Sequence, residues 1–108
     1  MEAVEIARQS GARGQVARAQ LVRGCVLGTR ALSESGARST VIDRKATEAF
    51  EKALTAFEEM GDLVRLASGL RSYINYLSQR GGGPRLAAVQ ARLDEAESRL
   101  EAVSGRAG

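Results

Sequence analysis

An all-α fold built from antiparallel helical hairpins is what this sequence predicts, on three observations. Alanine is abundant, β-branched residues are sparse and there is one proline, Pro84, a mix that favours helix and gives little support to strands. Apolar residues recur three and four apart over long stretches, the period of a helix face. Glycines interrupt those stretches at Gly11, Gly36, Gly61 and Gly81 to Gly83. The first three breaks are evenly spaced, and the tetrapeptide SGAR occurs at Ser10–Arg13 and again at Ser35–Arg38. A recurring helix–corner unit of this kind predicts hairpins of about 50 residues stacked as an α-solenoid of about five helices. The 108 residues read as one domain, or as part of a longer repeat array.

Residues 2 to 10 read as a short first helix, with Val4, Ile6, Ala7 and Ser10 clustering loosely and Gly11 ending it as a left-handed residue. It begins abruptly at Met1, as if a longer helix had been cut. Residues 14 to 34 read as the second helix. Here the apolar residues do not keep to one side: Val16 lies with Leu27, Leu21 with Cys25 and Leu32, and Val22 with Val26 in a third sector. Such a helix calls for neighbours on more than one side. Gly24 and Gly28 share a face and each costs about 1 kcal/mol against alanine in a helix interior, which a close approach by a neighbouring helix would repay. A membrane GxxxG dimer is excluded because Arg18, Arg23 and Arg30 interrupt the segment.

Residues 35 to 42, SGARSTVI, read as a loop, with Asp43 the N-cap of a third helix and Thr40 an alternative start. From about Arg44 to Met60, Ala46, Ala49, Phe50, Ala53, Leu54, Ala56, Phe57 and Met60 fill one arc of about 160° and the charged residues fill the rest. Gly61 breaks the helix and Asp62 caps the next, so the two helices are antiparallel neighbours. The fourth, about Leu63 to Arg80, sets Leu63, Leu66, Ala67, Leu70, Ile74 and Leu77 on a narrow face with Tyr73 at its edge and Tyr76 outside it. Three glycines end it, and Pro84 takes the first position of the fifth. There Leu86, Val89, Leu93, Ala96, Leu100 and Val103 form a single seam, fitting the end of a stack, and residues 104–108 are expected to fray.

The stretch from Ala46 to Leu77 resembles the tetratricopeptide repeat family. Ala46, Phe50, Ala53 and Leu54 match the small, aromatic, small, large pattern of that family's helix B. The run EEMGDLVRLASGL is similar to the junction in many bacterial signalling-associated repeats, and Ala67, Leu70, Tyr73 and Leu77 resemble the opening helix A of the next repeat. The match covers about residues 45 to 80. Ala17, Ala19 and Gly24 echo an earlier helix A, with Arg23 standing where that family has a large apolar residue. The hairpin period near 50, against 34 for the standard repeat, marks this as a divergent helical repeat. The resemblance implies a protein-interaction scaffold whose groove is lined by Ser68, Arg71, Ser72, Asn75 and Ser78 if the fourth helix plays helix A. Tyr76 is a further candidate contact, or packs against the third helix. The bland reading, a solvated polar face, accounts for the same residues.

Chemistry is otherwise sparse. There is no histidine and a single cysteine, Cys25, so a zinc site and an internal disulfide are both excluded. No P-loop, GxSxG or paired metal-ligand motif occurs, so no catalytic, cofactor or metal site is expected. Glu58 and Glu59 diverge round their helix onto a solvated face. The glycine triplet has neither a strand before it nor Lys-Ser or Lys-Thr after it, so it reads as a corner. Cys25 reads as a buried, inert thiol. No apolar run is long enough to span a membrane and no secretory signal opens the chain, so a cytoplasmic setting is expected.

Charge offers the competing class. The net charge is +3 and all of it resides in residues 1–44, which hold seven arginines and four acids. Arg8, Arg13, Arg18 and Arg23 are spaced so as to wind round the helix, no aromatic interleaves with them, and an arginine-rich coding bias explains them equally. A nucleic-acid-associated regulator is therefore the second reading. The others are a non-catalytic end piece of a larger kinase or ATPase regulator and a plain helical bundle. The expected partner is a protein or peptide, with a homodimer through exposed repeat ends as an option.

Overall fold

Gly61 turns the chain where the sequence places the corner. In the computed structural model, which describes residues 2–107 and the side chains of 11–103, Gly61 adopts φ +70°. Its N–H donates to the carbonyl of Glu58 at 3.1 Å and that of Asp62 to Phe57 at 3.0 Å. These two bonds satisfy carbonyls that a helix end leaves orphaned, in the Schellman arrangement. The Asp62 carboxylate then accepts from the backbone N–H of Arg65 at 3.2 Å, capping the helix that follows. The same device recurs at Gly81, where Gly82 N–H donates to Leu77 and Gly81 N–H to Ser78.

The described residues form four helices and no strand: α1 (Glu2–Ser33), α2 (Gly36–Met60), α3 (Leu63–Gln79) and α4 (Pro84–Ala107). The all-α class stands; the count of about five does not. The break expected at Gly11 is absent, because Gly11 and Gly14 both lie inside α1 and neither has a positive φ. Flanking Ala, Arg and Gln are strong helix formers, and they carry the helix through two isolated glycines. The loop expected at 35–42 is also helical. The chain reverses at Glu34 and Ser35, Gly36 takes φ +65°, and α2 starts eight residues earlier than Arg44. Asp43 is not the N-cap; Ser35 holds that position without a side-chain capping bond. The segment is anchored by tertiary contacts that its polar composition conceals. Ile42 is buried, and the buried Ser39 hydroxyl donates to the carbonyl of Ala31 at 2.8 Å. The cluster expected for Val4, Ile6, Ala7 and Ser10 and the fray expected at 104–108 lie outside the described side chains.

Consecutive helices run antiparallel, as Gly24 against Phe50 with Arg13 against Glu59 shows for the first pair. The α1 and α3 helices run parallel, since Gly69 faces Leu21 and Gly28 faces Tyr76. The α2 and α4 helices do likewise, with Arg85 reaching Thr47 and Arg92 reaching Glu51 and Glu58. Phe50, Leu54, Phe57, Leu70 and Tyr73 fill the core completely buried. Phe50 stacks on Tyr73 at 4.8 Å and on Tyr76 at 5.9 Å between ring centres. The radius of gyration, 15.7 Å, exceeds the roughly 13 Å expected of a compact chain this long. Extents of 51 × 34 × 16 Å show why: the helices form a plate as long as α1.

Candidate interaction cleft

Parallel placement of α1 and α3 brings the polar face of α3 beside a mixed face of α1. Between them opens a cleft of about 150 Å³ lined by Cys25, Thr29 and Leu32 from α1, Ser72, Asn75, Tyr76 and Gln79 from α3, and Phe50 at its floor. The close approach beneath it depends on glycine. A Cβ at Gly28 would lie 2.9 Å from the Tyr76 ring, and one at Gly24 would lie 3.0 Å from Phe50. The close neighbour expected at these two glycines is therefore real, and it consists of aromatic rings rather than a helix backbone.

Of the residues the sequence singles out, Ser72 and Asn75 meet in this cleft. Ser68 and Ser78 are exposed on α3 outside its lining. Arg71 points the other way and pairs with Glu97 of α4 at 3.4 Å. Tyr76 is 4% exposed, so the packing alternative holds for it: its ring stacks on Phe50 of α2, the helix expected to receive it.

Tyr76 also ends a polar chain. Its hydroxyl donates to the Asp43 carboxylate. Arg80 pairs with Asp43 at 3.3 Å and donates to the Ser39 hydroxyl at 3.0 Å, and Ser39 donates to Ala31. One run of bonds thus ties α3 to α2 and α2 to α1 under the cleft. Burial pushes the Tyr76 hydroxyl well above its ordinary value, its bond to Asp43 adds to the effect, and Arg80 opposes it. Tyr73 shifts upward too, mainly by burial, and its hydroxyl has no well-formed hydrogen bond.

Thr29 and Gln79 were not singled out by the sequence, and Cys25 and Leu32 were read only as members of an apolar face. Cys25 is exposed, against the expectation of a buried thiol. The grouping of Leu21, Cys25 and Leu32 on one side of α1 was legible, but it pointed to a buried face rather than a cleft wall. A second, apolar hollow of about 300 Å³ lies at the open end of the first hairpin, between Val16, Ala17 and Ala12 of α1 and Ala56 and Lys52 of α2.

No group of three or more potential metal-ligating residues occurs among the described residues. No described helix is long and apolar enough to cross a membrane. Neither a protein-family model, nor a curated protein, nor a solved structure matches the chain.

Proposed function

We propose that this chain is a non-catalytic, divergent helical-repeat scaffold of tetratricopeptide type that binds a peptide or partner protein along the α1–α3 cleft, in bacterial signalling or regulation. The observation that carries the reading is the cleft itself. Like-facing helices of two successive hairpins run parallel and place hydrogen-bonding groups, Ser72, Asn75 and Gln79, beside the apolar Leu32 and Phe50. Peptide grooves combine backbone-directed polar groups with apolar pockets in this way. The repeat reading draws further support from the glycine contacts. Leu21 meets Gly69 and Gly28 meets Tyr76, so the first helix of one hairpin lies along the first helix of the next, the neighbour relation that stacked hairpins have. The hollow beside Val16 and Ala56 is where a preceding hairpin, or a second copy, would stack.

The nucleic-acid reading has less behind it. All four aromatic side chains are buried, leaving no stacking platform. Arg13 is already paired with Glu59 at 2.7 Å.

Selection of binders from a random-peptide display library tests the assignment, run on the chain and on a Ser72→Arg/Asn75→Arg variant of unchanged melting temperature. Binders that recognise the first and not the second are expected. Peptides indifferent to the substitution would remove the cleft as the site.

A further inference from the structure

The face of α1 turned away from the rest of the molecule carries a second pattern. Ala19, Val22, Val26 and Thr29 follow one another at spacings of three, four and three, and all four are exposed. The valines are conspicuous, 61% and 55% accessible. This is the spacing with which one helix presents a seam to another. The core-facing residues of α1, Ala17, Gly24, Gly28 and Ala31, lie on the opposite side, so the seam is surplus to the fold.

Charge identifies what would cover it. Residues 11 to 33 contain four arginines and no acid. Arg18, Arg23 and Arg30 flank the seam on both sides and enter no ion pair among the described residues. Arg23 shares its hollow with one acid, Glu48, and two lysines, Lys45 and Lys52, so the flank stays basic. A second copy fits poorly. Two α1 seams brought together in either direction place arginine beside arginine, and the apolar seam of α4 is already spent on its own molecule, where Val89, Leu93 and Ala96 are buried. A nucleic acid would meet exposed valines where it needs stacking or hydrogen bonds.

We propose that this ridge of α1 docks an acidic amphipathic helix of another protein, whose larger apolar residues settle over Ala19, Val22 and Val26 while its flanking carboxylates meet Arg18, Arg23 and Arg30. The ridge adjoins the α1–α3 cleft at Thr29, which also lines the cleft, but Ala19, Val22 and Val26 lie outside the cleft lining.

The test uses two synthetic three-heptad peptides with leucine at the seam positions, one with glutamate at the flanks and one with lysine. Titrated into the isotope-labelled chain, the glutamate peptide is expected to bind saturably, more weakly as salt is raised, with amide shifts centred on Ala19 to Thr29. The variant Val22→Asp/Val26→Asp, which places charges at already exposed positions and keeps the melt, is expected to lose at least about tenfold in affinity. The control Val103→Asp on α4 is expected to lose nothing. Reversal of Arg18, Arg23 and Arg30 to glutamate is expected to transfer the preference to the lysine peptide. Equal binding of both peptides by the unaltered chain would overturn the proposal. So would shifts centred on Ser72 and Asn75, a dimer held through Val22 and Val26 in sedimentation, or a DNA duplex taking the ridge in place of the glutamate peptide.

Discussion

Along α1 the buried residues are the small Ala17, Gly24, Gly28 and Ala31, with Leu21 and Leu27 half-buried beside them, whereas along α4 they are Val89, Leu93 and Ala96. The first hairpin closes by removing side chains from one helix so that rings from others fill the space. The second closes by interlocking large side chains, with the Arg71–Glu97 ion pair at its edge and Arg92–Glu51 tying α4 back to α2. Both bury apolar surface, but they respond to mutation in opposite directions. Where packing relies on large side chains, truncation or charge is damaging; where it relies on glycine, any added atom is.

Leu70→Asp strikes the second kind of packing and should have the largest effect. Leu70 is completely buried where α3 meets α2 and α4, and a carboxylate there is taken out of water into an apolar core. A loss of more than about 4 kcal/mol is expected, enough to unfold a chain of this size. A cooperative melt at the unaltered temperature in circular dichroism would show that the interface is not as described.

Gly28→Val tests the first kind. Its Cβ would sit within 2.9 Å of the Tyr76 ring, so α1 must move off α3 or the ring must leave its stack with Phe50. A destabilisation of about 1–3 kcal/mol by overpacking is expected in denaturant titration.

The contrast also explains what the sequence discloses. Interlocked large residues write a visible period, so the faces of α2, α3 and α4 are legible down to Phe50, Leu70 and Val89. Packing through glycine and alanine leaves no such trace. On α1 the eye goes to Val16, Val22, Val26 and Leu32, which the structure leaves exposed, and passes over the alanines that are buried. Gly11 reads as a stop because an isolated glycine inside a helix and one ending it look identical without their neighbours. The segment of residues 35 to 42 reads as a loop because its anchor, Ser39 to Ala31, joins residues of two helices. The cleft was half legible for the same reason. Ser72 and Asn75 follow from the polar side of α3, but their opposite wall, Cys25, Thr29 and Leu32, depends on how α1 turns.

Tyr76→Phe probes the seam between the two regimes, since Tyr76 packs as a ring over Gly28 and bonds as a hydroxyl to Asp43. Loss of that charge-assisted bond should cost about 1–2 kcal/mol at neutral pH. Its pH dependence has a definite sign. The folded hydroxyl titrates above its ordinary value of 10.0, so the folded state holds the proton more tightly than the unfolded chain. Stability from this source is complete below that pH and falls above it as the unfolded tyrosine ionises, continuing until the folded group follows. The phenylalanine variant should therefore lose less stability between neutral and strongly alkaline pH, by urea melts at each pH, with Tyr73 supplying the slope that remains. An identical alkaline slope would place the hydroxyl in water.

Gly11→Ala turns the comparison round. No heavy atom beyond its own helix lies within 4 Å of a Cβ there and φ is not positive, so nothing is overpacked. The substitution should raise stability by about 1 kcal/mol through helix propensity and a less flexible unfolded chain. A loss instead would mean that α1 breaks at Gly11 after all.

The smallest effect on folding is expected for Arg71→Glu. Arg71 and Glu97 are about half exposed, and an ion pair in that setting contributes little because water already solvates both charges. Reversal should cost less than about 1 kcal/mol, against the far larger cost of Leu70→Asp one position earlier on the same helix. That gap between adjacent residues is what a two-sided α3 requires: one face held in the plate, the other free to meet solvent or a partner. Arg71 faces α4 rather than the cleft, so peptides that depend on Ser72 and Asn75 should bind the Arg71→Glu variant unchanged. Weakened binding would extend the contact surface across α3 to its α4 side.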